Sequence, residues 1–275
     1  MTTRSSDPQT ADEWQQVILE DCTKLTSAPD DVANDRRFLL KLLKRQGAAL
    51  QYMSLELRED RELAYEAVKQ NWRALDHVPS TLLGDRDIIL AGIEQNWEAL
   101  TRGAPELYSD RGVMLEAVRR DGSGQALTYA GHELYNDRAL MFEAVKLNGI
   151  LFEYASDELR ADKDLAMVAV RKNGLALHMT PYELREDRQL VLEAVRQNYL
   201  ALDYASENLR GDYEIIREAI KQSGLALNYA SAELRGDRNL VMQAVQDNWK
   251  ALDYASMELQ HDPDLVHVAE KQRRT

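Results

Sequence analysis

Residues 187–210 read DRQLVLEAVRQNYLALDYASENLR, and nearly the same string recurs along the chain. Asp187 suits a helix N-cap, because its carboxylate can accept from the free backbone N–H groups of a first turn. Leu190, Val191, Ala194 and Val195 then fall on one face of an amphipathic helix. Asn198 ends that helix on this reading, since Asn tolerates the left-handed conformation that closes many helices. In sister units Gly follows the same position. Ala201, Leu202, Tyr204 and Ala205 mark a second, shorter segment, and Ser206 opens one more turn ending at Arg210. A unit this short cannot bury its apolar stripe alone. Stacked on copies of itself it can.

The cap aspartate recurs at Asp35, Asp60, Asp85 and Asp110, and again at Asp137, Asp162, Asp187, Asp212, Asp237 and Asp262, with a spacing of 25 inside each run. Only the step from Asp110 to Asp137 is longer, and the excess falls at Gly122-Ser123-Gly124. One period before Asp35 stands Thr10, another acceptable cap, followed by Trp14, Val17 and Ile18. At the far end Asp262 precedes Pro263, and Pro is favoured at a first helical position because the N–H it lacks is unpaired there anyway.

The recurrent positions sort by physics. The first core position is Phe38, Leu63, Ile88, Val113, Leu140, Leu165, Leu190, Ile215, Leu240 and Leu265. Four residues on, Ala67, Gly92, Ala117, Ala144, Ala169, Ala194, Ala219 and Ala244 are small, which predicts close approach there. A leucine or Phe152 anchors each short segment, and a further leucine closes each unit. The last turn opens on Ser in some units and on Pro in others, an exchange that suits the start of a helical turn. The expected fold is therefore all-α: an α-α solenoid of about ten 25-residue repeats, each with one longer and one shorter helical segment. Residues 1–9 are expected to form a disordered tail and 10–34 a degenerate N-terminal capping repeat. Residues 35–261 are expected to be the tandem array and 262–275 a capping helix and tail, the whole being one continuous domain.

Strings such as NGILFEYASDELRADKDLAMVAV, with Asn-Gly, Tyr-Ala-Ser, Glu-Leu-Arg and the cap in order, resemble the repeat family catalogued as domain of unknown function 4116. The resemblance runs from Asp35 through nearly all of the chain, and one family unit spans about two of these repeats. It implies a helical repeat and no established activity, so it assigns no catalytic residue. Trp or Tyr in place of the Gly is a departure from the family pattern.

The chain carries a net charge of −13, which argues against duplex nucleic acid, whose phosphates need a concentrated Lys/Arg face. The Arg that follows many caps could form a basic row, but its acidic neighbours make a mixed, solvated row the expectation. His77, His132, His178, His261 and His267 have no metal-ligating helical spacing, and no phosphate loop or nucleophile elbow is present. The repeated Glu-x-Arg pairs, such as Glu158 and Arg160, read as a polar seam between units rather than an active site. Neither enzyme activity, cofactor nor metal is expected. No stretch has the length or apolarity of a membrane span, and the polar start lacks a signal-peptide core. A single cysteine, Cys22, points to a reducing, cytoplasmic or other intracellular compartment.

Function in a repeat scaffold shows where a unit departs from its siblings. Trp72 and Trp97 replace the Gly in consecutive units, and His77 and Arg102 replace the recurrent Tyr in the same two. Leu83 and Tyr108 replace the Arg that closes most units. Aromatic residues with Arg dominate protein interfaces, so Trp72, His77, Leu83, Trp97, Arg102 and Tyr108 are the candidate partner-binding residues. The rival account makes each Trp an ordinary hydrophobic contact on the last helical turn. The expected function is a non-catalytic scaffold for a protein or peptide, possible roles being a subunit of a larger assembly or a secreted effector acting on a host protein. The alternative is an enzyme or small-molecule binder with a pocket on a concave face near Trp97 and Arg102.

Overall fold

Asp187 accepts from the Leu190 backbone N–H at 2.9 Å, and the ten-residue α-helix Arg188–Gln197 follows. Asn198 then turns extended, at φ −155°, so the helix ends without a left-handed residue. This corrects the reading of that position. The asparagine closes one helix and caps the next: its side chain accepts from the Leu200 N–H at 3.0 Å and starts the 3-10 helix Tyr199–Tyr204. Asn71, Asn148, Asn173 and Asn248 do the same. Three residues per turn bring Leu202 and Ala205 to one side, beside Ala201, and all three are buried. A four-residue α-turn, Glu207–Arg210, completes the repeat.

The computed structural model describes residue 8 and residues 10–273. The tail expected at 1–9 lies, apart from residue 8, outside the described residues. Among these there is no β-strand, and the all-α solenoid repeat is the fold. The chain divides into two compact units, Met1–Leu134 and Tyr135–Thr275. Inside each, the long helices pack side by side in one layer and the 3-10 helices in a second. In the first unit the layer of long helices runs Arg36–Leu43, Arg61–Gln70, Arg86–Ile93, Arg111–Asp121. In the second it runs Arg138–Leu147, Lys163–Lys172, Arg188–Gln197, Tyr213–Ile220, Arg238–Asp247, Pro263–Arg273.

The core lies between the layers. The first core position is fully buried at Leu63, Ile88, Leu140, Leu190 and Leu240, and the small position four residues on is fully buried at Ala67, Ala144, Ala194 and Ala244. The close approach predicted there is of the 3-10 layer onto the long helix. A Cβ added to Gly92 would lie 2.8 Å from Ala99 and 3.1 Å from Leu75, both in 3-10 helices.

The two-residue insertion sits where the helix Arg111–Asp121 runs one residue longer than its ten-residue siblings. Gly122 and Gly124 both take positive φ, 62° and 98°, which a side chain would resist. The Asp121 carboxylate accepts from the Gly124 and Ala126 N–H groups, doing the work of the absent asparagine. Thr10 caps Ala11–Glu20 in a reciprocal capping box with Glu13. Pro263 stands at the first helical position, and Asp262 accepts from the Asp264 and Leu265 N–H groups. Pro29 and Pro181, which open the last turn of their units, stand at its N-cap. Ser54, Ser156, Ser231 and Ser256 share that place and cap through the hydroxyl.

Asp187→Ala removes the cap bond and is expected to lower stability by about 1 kcal/mol in urea melts. No change would mean that the helix start is held by packing alone.

Candidate functional site

Most polar side chains of the repeat are consumed by the fold. The Arg that follows many caps reaches the cap aspartate of the next repeat: Arg36 to Asp60 at 2.9 Å, Arg61 to Asp85 at 2.6 Å, Arg188 to Asp212 at 2.7 Å, Arg238 to Asp262 at 2.9 Å. Several of these guanidiniums also hold the carboxylate two residues on, as Arg61 holds Asp87 and Arg238 holds Asp264. The basic row is thus an Arg–Asp ladder whose cations are paired. The Arg partner holds the Asp60, Asp162 and Asp212 carboxyls below the usual carboxylate range, against the opposing cost of their partial burial. A depressed folded pKa adds stability above the unfolded value of about 4 and withdraws it as pH falls below that. Melting temperature is therefore expected to fall with acidification from about pH 4 downward, more gently in an Arg188→Gln variant.

A second ladder was missed in the sequence. The Gln222 amide donates to the Val195 carbonyl at 2.5 Å, and its oxygen accepts from the Tyr199 N–H at 3.0 Å. Gln95 bridges Val68 and Trp72 in the same way, at 2.7 and 3.1 Å. Each such glutamine joins its helix end to the end of the preceding helix and to the start of the 3-10 helix beyond it. The recurrence of Gln70, Gln95, Gln197 and Gln222 was the available signal. Of the Glu-x-Arg positions read as a seam between units, Arg58 donates across to the His77 carbonyl, whereas Arg160 donates to the Glu153 carbonyl of its own repeat at 2.5 Å and Arg185 to the His178 and Thr180 carbonyls of its own.

The candidate partner-binding residues lie in the first unit. Trp72 opens the 3-10 helix Trp72–His77 and Trp97 opens Trp97–Arg102, and these two helices pack together. Both Trp side chains are half-buried, as are His77, Leu83 and Tyr108, whereas Arg102 is exposed. Arg73 stacks over Trp72 at 5.0 Å. Arg102 pairs with Asp76 of the preceding repeat at 2.8 Å, joining the two repeats at the surface. Trp97 meets the Tyr129 ring at 6.4 Å between centroids, and Tyr129 meets Tyr108 at 5.8 Å. The result is an aromatic row, Trp97–Tyr129–Tyr108, with Tyr129 40% exposed. Burial pushes the Tyr108 phenol above its ordinary pKa. The backbone contacts are regular: the Leu83 carbonyl accepts from the Ala104 N–H and the Tyr108 carbonyl from the Gly131 N–H, both at 2.9 Å. The His77 carbonyl accepts from Arg58 at 3.4 Å. Tyr129 and Asp76 were not singled out in the sequence, because each looks like an ordinary repeat residue until the neighbouring unit is placed against it.

Among the described residues no group of three or more His, Cys, Asp or Glu is placed to hold a metal ion, and no helix is long and apolar enough to cross a membrane. What the surface offers is aromatic faces, one of them under the Arg73 guanidinium.

Searches of curated proteins and of solved structures found no match. The family described as Domain of unknown function (DUF4116) matches residues 35–83, 60–108, 110–160, 162–210, 187–235 and 212–260. Each match begins on an aspartate and spans two repeats, and matches such as 35–83 and 60–108, or 162–210 and 187–235, overlap by one repeat, so the physical unit is the 25-residue repeat. The matches cover most of the chain, and the chain belongs to the DUF4116 family of tandem helical repeats.

Proposed function

We propose that this chain is a non-catalytic helical-repeat scaffold that holds a protein or peptide, working in a reducing compartment. Its binding surface is the aromatic row Trp97–Tyr129–Tyr108 with Arg102, flanked by Trp72, His77 and Leu83. One observation carries the reading. Two adjacent repeats depart from their siblings at several positions, two of the replaced side chains, Trp97 and Tyr108, meet through the part-exposed Tyr129, and Arg102, at the other end of the Trp97 helix, is exposed and joined to Asp76. Rigid aromatics and Arg supply interface anchors at low entropic cost, each typically worth about 2 kcal/mol or more. Elsewhere most of the recurrent polar groups are engaged in caps and ladders.

Arg102→Glu separates this reading from simple packing. The residue is exposed, so stability is expected to change by no more than about 0.5 kcal/mol. Binding of a partner captured by the native chain from its source cells is expected to fall at least about tenfold. Trp97→Ala should weaken the same binding, with some loss of stability because its ring is half-buried. A partner bound equally well by Arg102→Glu and Trp97→Ala would remove the surface from consideration.

A further inference from the structure

In the second unit, an open groove of about 450 Å³ is lined by Tyr182, Arg185, Asp203, Ser206, Asn208 and Arg210, among others. Ser206 is 6% exposed, and its hydroxyl has no hydrogen-bond partner. The Arg210 Nε is likewise buried and unpaired. The Ser206 orphan is not typical of its position, whereas an unpaired Nε recurs at Arg58 and Arg160. The Ser156 hydroxyl donates to Asn136 at 2.7 Å and accepts from the Leu159 N–H. Arg160, Arg185 and Gln260, equivalent to Arg210, all donate to carbonyls of their own repeat.

The repeat pattern says what is missing. Glu133, Glu158, Glu183, Glu233 and Glu258 hold one position, where this repeat has Asn208. In the sister repeat the Glu158 carboxyl is held below its ordinary pKa by its own backbone N–H and by the Ser156 hydroxyl. Asn208 withdraws that carboxylate from the groove, which holds the unpaired Ser206 hydroxyl and the Arg210 guanidinium. The unpaired Nε is not the mark of that loss, since Arg58, Arg160 and Arg235 share it in repeats that keep Glu56, Glu158 and Glu233; the mark is the Ser206 hydroxyl. Glu186, which stands where Asn136 accepts from the sister serine, is engaged by the Tyr182 hydroxyl.

We propose that this groove is a carboxylate-binding site for a peptide, whose acidic side chain or C-terminus supplies the carboxylate that Asn208 replaces. The Ser206 hydroxyl and the Arg210 guanidinium donate to the ligand oxygens, as charge-assisted bonds favour. The Asn208 amide can add a third donor. Tyr182, 63% exposed, forms a wall for the aliphatic stem. Charge selects the ligand class. Arg185 and Arg210 are balanced by Asp203 and Glu207, so a single negative charge fits better than a doubly charged phosphate, which would face two carboxylates. The inference rests on the scaffold reading of the chain but not on the tryptophan surface, which lies in the other unit.

The test follows the Arg210 Nε–H resonance of the full chain, labelled with ¹⁵N-arginine. The probes are acetyl-Gly-Glu-Gly-amide, acetyl-Gly-Gly-Gly with a free C-terminus, acetyl-Gly-Gln-Gly-amide and inorganic phosphate. A saturable shift in the millimolar range is expected with a carboxylate probe and not with the Gln probe. Whichever carboxylate probe binds tighter identifies the source. Asn208→Glu restores the residue the sister repeats carry at an exposed position, so the fold should hold while affinity falls at least about tenfold. Arg210→Gln should have the same effect. No saturable shift, tighter binding of phosphate, or undiminished binding in Asn208→Glu would each overturn the site. Because the readout is at Arg210, none of these outcomes bears on partner capture through Arg102.

Discussion

Leu190→Ala is expected to lower the stability of the unit Tyr135–Thr275 by about 2–5 kcal/mol. Leu190 is fully buried, and its helix packs against two neighbouring long helices, Lys163–Lys172 and Tyr213–Ile220. The same helix also touches the 3-10 helices Gly174–Met179 and Tyr199–Tyr204. A cavity there cannot be closed by one neighbour moving in, because that neighbour is fixed on its far side by the same packing. The cost therefore combines the lost transfer free energy of the removed atoms with a cavity term. Leu252, at the matching position for short segments in the last full repeat, is only part-buried, so Leu252→Ala should cost less. Urea melts followed by circular dichroism measure both. A Leu190→Ala loss below about 1 kcal/mol would mean that the repeat relaxes around the gap and that stacking is softer than the geometry indicates. The effect should be largest in the mutated repeat and its neighbours, as hydrogen exchange can show, because contacts in such arrays run between adjacent units.

The sequence made the phase of the repeat legible because two independent signals agree at each turn. A capping aspartate and an apolar face three and four residues later can coexist in only one helical register, and the structure places Asp187 and Leu190 accordingly. Thr10 and Pro263 were readable for the same reason: each is a local, chemical statement about a helix start. Other features were less legible because they are statements about the neighbouring repeat. Asn198 carries two meanings, a left-handed helix end or the cap of a following helix, and composition does not separate them. The backbone chooses the second, since an extended Asn can start a 3-10 helix at once. The Arg–Asp ladder and the glutamine bridge join residues about one repeat apart. Such pairs emerge only when two copies are laid side by side in register. The candidate surface was legible in part. Two departing units identified Trp97, Arg102 and Tyr108, but Tyr129 and Asp76, which complete their contacts, match the repeat and so carried no signal. The groove at Ser206 was hidden differently: a single Glu-to-Asn change within the repeat is conspicuous only once the hydroxyl beside it is seen to lack a partner.

Gly224→Ala is expected to destabilise the same unit by about 1–3 kcal/mol, although glycine replacement at an unstrained position ordinarily stabilises by about 0.4–1 kcal/mol through the unfolded chain. The reversal comes from a backbone contact rather than from φ, which is not positive at Gly224. A Cβ there would stand 2.1 Å from the Ala244 carbonyl oxygen and 3.2 Å from the Asn248 nitrogen. Both belong to the end of the next long helix, so no side-chain rotation relieves the clash. Moving the backbone would strain the Gly224 N–H bond to the Asp247 carboxylate, 2.7 Å long. The chain itself indicates that the shift is possible. Tyr199 and Trp72 occupy the matching position, where their N–H bonds to Gln222 and Gln95 are longer, 3.0 and 3.1 Å. A repeat with a side chain at this place thus sits slightly farther from its neighbour, and Gly224→Ala forces such a seat onto a junction built for the closer one. Gly236→Ala is the control, since its nearest neighbour would be the Ser256 hydroxyl at 3.9 Å, and it should be neutral or stabilising by up to about 1 kcal/mol. Equal effects of the two substitutions in denaturant melts would show that the glycine at the start of the 3-10 helix is there for turn formation alone, and that the spacing of repeats is not set by it.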